Sequence, residues 1–405
     1  MANQFQSIQQ GLALLKNYYE GPVRDQFNEE LPILRAAEKL KKGWSGLQVI
    51  RPLRVRRNQG IGATSDGGPL PFIGKQTPAQ AIISATFNYL RFGVTGPMIK
   101  ASQSDIGSFV RSAAYELEMG YKDLKSDVNR QLSWNGTGTL ATVNANTNGS
   151  TALVIAGRES VEAALKFIDV GLVFDIVSSG VVTNSGIQVL SISGGTPTGS
   201  TATLNLSAPV TCLSGDALVR SGAYNLEING LTYSLDGGTT VIYNIDRTAY
   251  PAYQGNFFNR NNQQLSLDFL QQIYNEALRR GGAKLSAHYC DFDTLRMYQK
   301  LLTADKRYSN TIKGDGGFAN KEDFYLEFNS LPVVPDKDCP QRWFTLSDDS
   351  LKMYVLAEME FADETGSMYI AQTSADALEV RIRYFANLFN EQPNADSVGK
   401  SYISP

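Results

Sequence analysis

At 405 residues the chain is long enough for roughly two or three domains of ordinary size. Its 42% hydrophobic and 19% charged residues are the material of a folded, soluble protein with a large core. A net charge of −3 excludes a chain built to wrap nucleic acid, which needs an excess of Lys and Arg, so nucleic-acid contact is expected to be local and weak. The three cysteines, Cys212, Cys290 and Cys339, are widely spaced, form no CxxC pair and read as free thiols of a reducing compartment. The N-terminus has no basic region leading into an apolar run, so no signal peptide is expected. No stretch reaches the ~18 apolar residues of a membrane span. The N-x-S/T triplets at Asn135, Asn148 and Asn205 are therefore chance matches.

Residues 1–47 read as an arm. Phe5–Tyr19 carries Ile8, Leu12, Leu15 and Tyr19 at helical spacing and is broken by Gly21-Pro22. A second segment, Asp25–Lys42, is interrupted by Pro32 and ends in Lys39, Lys41 and Lys42. Neither piece is long enough to hold a helix alone in water, so each needs a surface of its own domain or of another subunit.

Residues 48–95 read as a long hairpin. Gln48–Arg57 alternates Leu53 and Val55 with Arg54 and Arg56, and Ile83–Tyr89 alternates Ile83, Ala85, Phe87 and Tyr89 with Ser84, Thr86 and Asn88. Between them, residues 58–80 hold Gly60, Gly62, Gly67, Gly68 and Gly74 and few large apolar groups. A two-stranded ribbon has no core and exposes its edges, so this arm is expected to lie across a neighbour.

Ser104–Trp134 reads as one long helix. Ile106, Val110, Ala113, Leu117, Tyr121, Leu124, Val128 and Leu132 recur at three- and four-residue steps. Ser104 is placed as N-cap with Asp105 in the first turn, and Asn135-Gly136 marks the stop. Such a helix is about 45 Å long, a spine for other layers.

Residues 136–240 turn rich in Gly, Ser, Thr, Asn and Val. Short alternating runs at Leu172–Val177, Gly186–Ile192, Ala202–Leu206 and Leu218–Arg220 predict a small β-barrel or sandwich, placed at 155–222, with a short helix expected within Gly157–Ile168. Ser266–Arg280 is a second clear helix, capped by Ser266 and ended by Gly281-Gly282, and Asp293–Leu302 a third. The stretch Lys313–Pro340 is loop-rich, and Leu378, Val380, Ile382 and Tyr384 alternate as a late strand within Ala375–Phe389.

No catalytic constellation stands out. The single histidine, His288, excludes a His-rich metal site, and beside Cys290 it lacks a third group. Gly60-Ile61-Gly62 opens no helix, and Gly399-Lys400-Ser401 lacks the earlier glycine of a phosphate loop, Asn394 standing there. The pairs Asp291/Asp293, Asp336/Asp338 and Asp348/Asp349 read as solvated turns or helix caps rather than cation ligands. No enzyme activity, cofactor or metal is expected. The cluster Arg51, Arg54, Arg56 and Arg57 has no interleaved aromatics and is weak as a nucleic-acid patch. It reads as one side of an acid/base seam at the predicted subunit interface, with Glu29, Glu30, Glu116 and Glu118 offering carboxylates in the same subunit or a neighbour.

The order of parts, and the stretches VRRNQGIGATSDGGPLP, RQLSWNGTGTLA, NLEINGLTYSL, IDRTAYPAYQGN, LSLDFLQQIYNEALRRGG, LPVVPDKDCP and DALEVRIRYFANLFNEQPNADS, resemble the major capsid proteins of tailed double-stranded DNA phages over nearly the whole chain. The resemblance implies an α+β fold with a long spine helix, an extended β-hairpin E-loop, peripheral (P) and axial (A) domains, and an inserted small all-β domain. It implies an N-terminal arm at 1–47, the E-loop at 48–95 with Gly67 and Gly68 at its tip, and P domain at 96–154. The insertion follows at 155–222, P domain again at 223–283, A domain at 284–374, and a P-domain strand with the C-terminal tail at 375–405. The implied function is structural: self-assembly as hexamers and pentamers into an icosahedral shell around double-stranded DNA, in the virion, after assembly in the host cytoplasm. The implied partners are further copies of the chain, a portal, a decoration protein, and packaged DNA through weak inner-surface contact; no membrane is involved. With the arm beginning at Met1, a separate scaffolding protein is expected rather than a fused segment. Some relatives cross-link an E-loop lysine to an asparagine; Lys75 lies in the E-loop here, but no partner or catalytic carboxylate accompanies it. Two alternatives stand beside this one: an encapsulin-type compartment shell, which would need no β insertion, and a soluble carbohydrate-binding or adhesive protein using that insertion.

Overall fold

The computed structural model describes residues 30–95, 97, 112–159, 162–196, 199–238, 240–282, 284–303, 326–347, 349–362, 370–371 and 376–405; the side chains of 94, 112–117, 303, 370–371 and 377 are outside the description. The helices are α1 (Pro32–Lys39), α2 (Ser112–Ser133), α3 (Leu231–Leu235), α4 (Leu267–Gly281) and α5 (Phe292–Thr303). The chain divides into two compact units, one containing Leu90–Asp123 and Phe361–Arg381, the other Glu30–Tyr89, Leu124–Glu360 and Ile382–Pro405.

In the first unit, Gly120 of α2 stands where a Cβ would lie 2.7 Å from Leu90 Cδ2, so strand and helix approach closely there. Glu379 is buried between Arg91, at 2.7 Å, and Arg381.

The second unit begins with α1. Pro32 opens this helix instead of interrupting one: at the first helical position its missing N–H is no loss. Lys41–Gly43 then pairs parallel with Met353–Val355. The start of the expected arm, including Phe5–Tyr19, lies outside the described residues.

The hairpin forms, but with a different second strand. Gln48–Arg56 pairs antiparallel with Thr77–Ser84, bringing Val49 opposite Ile83 and Leu53 opposite Ala79. The alternation of Ile83–Tyr89 crosses a break at Ala85, after which Thr86–Thr95 pairs with Ala377–Asn390. The break also changes what faces inward: Ile83 is fully buried, whereas Phe87 and Tyr89 are 59% and 60% exposed and rest against Phe385. The foot of the hairpin is anchored by Ala81 and Ile83 in a cluster with Ile242, Tyr243, Tyr253, Tyr354 and Phe389.

Helix α2 is described from Ser112; the predicted cap at Ser104 and the residues to Arg111 lie outside the described residues. Its C-terminal half carries the expected stripe, with Leu124, Val128 and Leu132 buried, and it ends one residue before Trp134. Gly136 follows at φ +79°, in the left-handed region that glycine accepts without strain.

The insertion is a closed six-stranded barrel in the order Ala217–Arg220, Thr139–Val143, Thr147–Ala156, Thr201–Cys212, Val181–Ser193, Val173–Ser178. Its first two strands lie largely ahead of the predicted start at 155. Leu140, Leu153, Ile155, Phe174, Ile176 and Leu204 fill its interior. The helix expected within Gly157–Ile168 is replaced, among the described residues, by bends and turns.

Beyond the barrel, α4 is capped as predicted: Ser266 Oγ accepts from Phe269 N at 3.2 Å, and Gly282 closes the helix at φ +60°. It packs on a six-stranded sheet in the order Asn256–Gln264, Ser397–Ile403, Arg342–Ser347, Leu285–Cys290, Leu331–Pro335, Leu326–Phe328. Phe269, Ile273, Trp343 and Tyr402 share its core. Ser397–Ile403, placed by sequence in a tail, is thus an interior strand of that sheet.

Candidate assembly surfaces

All four predicted arginines are exposed, and Arg54 and Arg56 alternate with the inward Leu53 and Val55. Arg51 Nε pairs with Glu391 Oε1 at 2.8 Å, a carboxylate that sequence reasoning missed. Arg56 sits 5.9 Å from the centroid of the Tyr250 ring. Arg54 and Arg57 have no ion pair or hydrogen bond among the described residues. Of the carboxylates proposed to meet them, Glu118 pairs with Lys122 one turn along its own helix at 3.6 Å, and Glu30 is exposed. Glu29 and the Glu116 side chain lie outside the description. Gly67 and Gly68 form part of a turn closed by Gly68 N donating to Ser65 O at 2.9 Å, with Gly67 at φ +70°. The connecting loop exposes four large apolar side chains, Ile61, Leu70, Phe72 and Ile73, at 86–102%. Four such groups standing clear of any core make an unusual surface for a lone subunit.

The barrel is rooted by ion-pair networks at two places. At one, Arg130 of α2 pairs with Asp127 at 3.0 Å and with Glu227, while Arg220, at the end of the last barrel strand, reaches Asp127 at 3.2 Å. Burial pushes the Asp127 carboxyl up, but Arg130 and Arg220 outweigh it and hold the group well below the usual carboxylate range. For Glu227 burial wins over the pull of Arg130, and its carboxyl is raised. At the other, in the segment that joins two barrel strands, the fully buried Arg158 guanidinium lies 4.4 and 4.2 Å from the centroids of the Trp134 and Phe167 rings. It makes a two-pronged contact with Glu162, at 3.0 and 2.8 Å. Lys166 adds a bond to Glu162 at 2.9 Å and one to the Cys339 carbonyl at 2.7 Å. Burial raises the Glu162 carboxyl, but Arg158 and Lys166 bring it down to about 2. Arg342 extends the network to Glu159 at 2.7 Å and Asp236 at 3.2 Å.

A third polar cluster fixes α1. Asp336 and Asp338, read from sequence as a solvated turn or a helix cap, are buried. Asn129 Nδ2 donates to both, at 3.0 Å and 2.8 Å, and Asp336 Oδ2 accepts from Ile33 N at 3.2 Å. Burial raises both carboxyls, and for Asp338 the neighbouring Asp336 adds to the rise. Asp291 is a cap as expected, its Oδ1 accepting from Thr294 N at 3.1 Å, and burial lifts its carboxyl to about 6. Asp293 forms an exposed pair with Arg296.

His288 is fully buried, with Nδ1 at 2.9 Å from Thr345 Oγ1 and Nε2 at 3.2 Å from Phe328 O. Both ring nitrogens are engaged, and burial lowers the imidazole to about 4, against the Phe328 carbonyl, so it stays neutral in the core. All three cysteines are buried free thiols. Among the described residues no group of three or more His, Cys, Asp or Glu side chains is arranged to hold a metal, and no helix is long and apolar enough to cross a membrane.

No family model and no curated protein matches the chain in sequence. Its fold does have counterparts. It is similar to a chain of the cyanophage A-1(L) capsid asymmetric unit, with a TM-score of 0.62 at 13% identity over 96% of this chain and 98% of that one. It is also similar to the capsid chain of the native GTA particle, with a TM-score of 0.53 at 8% identity over 99% and 100%. The empty GTA particle gives the same TM-score of 0.53. The chain therefore has the α+β phage-capsid fold over nearly its full length.

Proposed function

We propose that the protein is the major shell subunit of a tailed double-stranded DNA phage. It self-assembles as hexamers and pentamers into an icosahedral capsid in the host cytoplasm and remains in the virion. The observation that carries this is the end-to-end match to capsid chains, in which both lengths are covered almost completely. The hairpin supplies the physical complement: an arm with an apolar tip and outward arginines is ill suited to isolation but gains contact area across a neighbour. Many modest contacts of this kind become strong when a closed shell makes them simultaneous.

On this reading residues 1–47 act as the arm, 48–95 as the E-loop and α2 as the spine. Arg51, Arg54, Arg56, Arg57, Gly67, Gly68, Glu29, Glu30, Glu116 and Glu118 contribute to subunit interfaces. Assembly involves a separate scaffolding protein, a portal and a decoration protein, and DNA touches the inner wall only weakly. The function is structural rather than enzymatic. Deleting residues 58–74 tests the hairpin's part: sedimentation should show loss of closed particles while circular dichroism of the subunit is unchanged. Closed particles of normal size from the deletion variant would refute it.

A further inference from the structure

Four arginines from distant parts of the sequence meet at one concavity. A cleft of about 490 Å³ is lined by Arg56 and Arg57 at the end of the first hairpin strand, by Tyr250, and by Arg279 and Arg280 in the last turn of α4. Arg279 is paired with Glu276 of its own helix. Arg280 is held in place by neutral acceptors, Asn256 Oδ1 at 2.7 Å and Pro251 O at 3.1 Å. Arg56 leans on Tyr250, and Arg57 has no polar partner among the described residues. Three guanidinium groups therefore share the cleft with no carboxylate paired to them there. Cations that line one cleft without a paired carboxylate favour an anion that enters it.

We propose that the Arg56, Arg57, Arg279 and Arg280 cleft is a carboxylate receptor, filled in the assembled shell by an acidic segment of a second copy of this chain. The assignment rests on the shell reading given above. Planar guanidinium forks match carboxylates in two-pronged pairs, and Arg280 is held at the cleft wall by its bonds to Asn256 and Pro251. The cleft admits a side chain or two but not a nucleic-acid duplex, which needs a long, open basic face. A second copy offers exposed carboxylates, among them Glu358 and Glu360 on one strand. In a shell, identical copies are the surfaces at highest local concentration.

The test uses the full chain and a fluorescein-labelled hexaglutamate peptide, read by anisotropy at low salt. Unassembled wild-type subunits should bind the peptide. Arg57→Glu, which removes no ion pair or hydrogen bond among the described residues, should weaken binding at least tenfold with an unchanged unfolding midpoint, and Arg57→Ala/Arg280→Ala should weaken it as much. Arg383→Ala, at a residue paired elsewhere with Glu360, should have no effect. Assembled particles should no longer bind the peptide, because a neighbour occupies the cleft. Unchanged peptide affinity in Arg57→Glu overturns the receptor. Assembled particles that bind the peptide as well as free subunits overturn the second copy as occupant. A short DNA duplex that binds more tightly than the peptide and depends on Arg57 overturns the carboxylate assignment in favour of nucleic acid. Wild-type subunits that bind the peptide through Arg57 but form no shells under any condition refute the shell reading and the second copy together, and leave the receptor standing.

Discussion

Leu34 donates its backbone N–H to Asn129 Oδ1 at 2.9 Å, so α1 takes its N-terminal cap from α2 and not from its own Leu31, which makes no side-chain cap. The first turn of any helix carries unpaired N–H groups that need acceptors. Here the acceptors are Asn129 and Asp336, and Asn129 also satisfies the two buried carboxylates. Asn129→Ala removes the cap and leaves both carboxylates short of a donor. The expected cost is about 3 kcal/mol in denaturant unfolding, from several buried polar groups left unsatisfied. A loss below about 0.5 kcal/mol, the scale of an ordinary surface substitution, would show that α1 is held by its apolar contacts alone.

The Asp336/Asp338 pair gives stability a pH dependence of unusual sign. Both folded-state carboxyls are raised, first by burial, so the folded protein keeps their protons after the unfolded chain has released its own. The contribution is complete below the ordinary carboxylate range and is lost as pH rises through the raised values. Asp338→Asn keeps an oxygen for Asn129 and removes the like charge beside Asp336. It should raise the unfolding midpoint at pH 7 and leave it unchanged near pH 3. An equal shift at both pH values would mean that charge is not the cause.

Arg158→Ala should loosen the barrel at its root while leaving its interior intact. The substitution strips Glu162 of its two-pronged partner and removes the guanidinium from beside Trp134 and Phe167. Breaking a buried pair by removing one partner costs about 3–5 kcal/mol. Faster proteolysis within residues 157–168, with barrel fragments surviving, is the expected pattern. Resistance equal to wild type would contradict it.

Gly230 lies where the chain leaves the barrel and passes the end of α2. A Cβ there would lie 2.4 Å from the carbonyl oxygens of Gln131 and Leu132 and 2.5 Å from that of Trp134. These are backbone atoms that cannot swing aside, and Thr232 Oγ1 ties the same corner to Ser133 O at 2.8 Å. Gly230→Ala should cost about 3 kcal/mol, at the upper end for overpacking, as read from the denaturant midpoint.

Much of this architecture is legible in the sequence where local periodicity decides it. The Leu124, Val128 and Leu132 stripe, the Ser266 cap and the alternating barrel strands after 172 are of this kind. The break at Ala85 is not, because a period of two continues through a change of partner strand. The barrel's first two strands escape notice for a related reason: TLATV is short, and TNGSTALVIA is polar in its first half. The polar clusters are hidden more deeply. PDKD looks like a solvated turn until α1 and Asn129 cover it, and nothing local ties Arg51 to Glu391. Such pairings are products of the tertiary fold, and these are the places where the candidate surfaces lie.

Negative-stain electron microscopy of the full chain, expressed alone and with a scaffolding protein, tests shell assembly most directly. Rings, tubes or closed shells are the predicted result. A subunit that stays monomeric at high concentration in both preparations would contradict it.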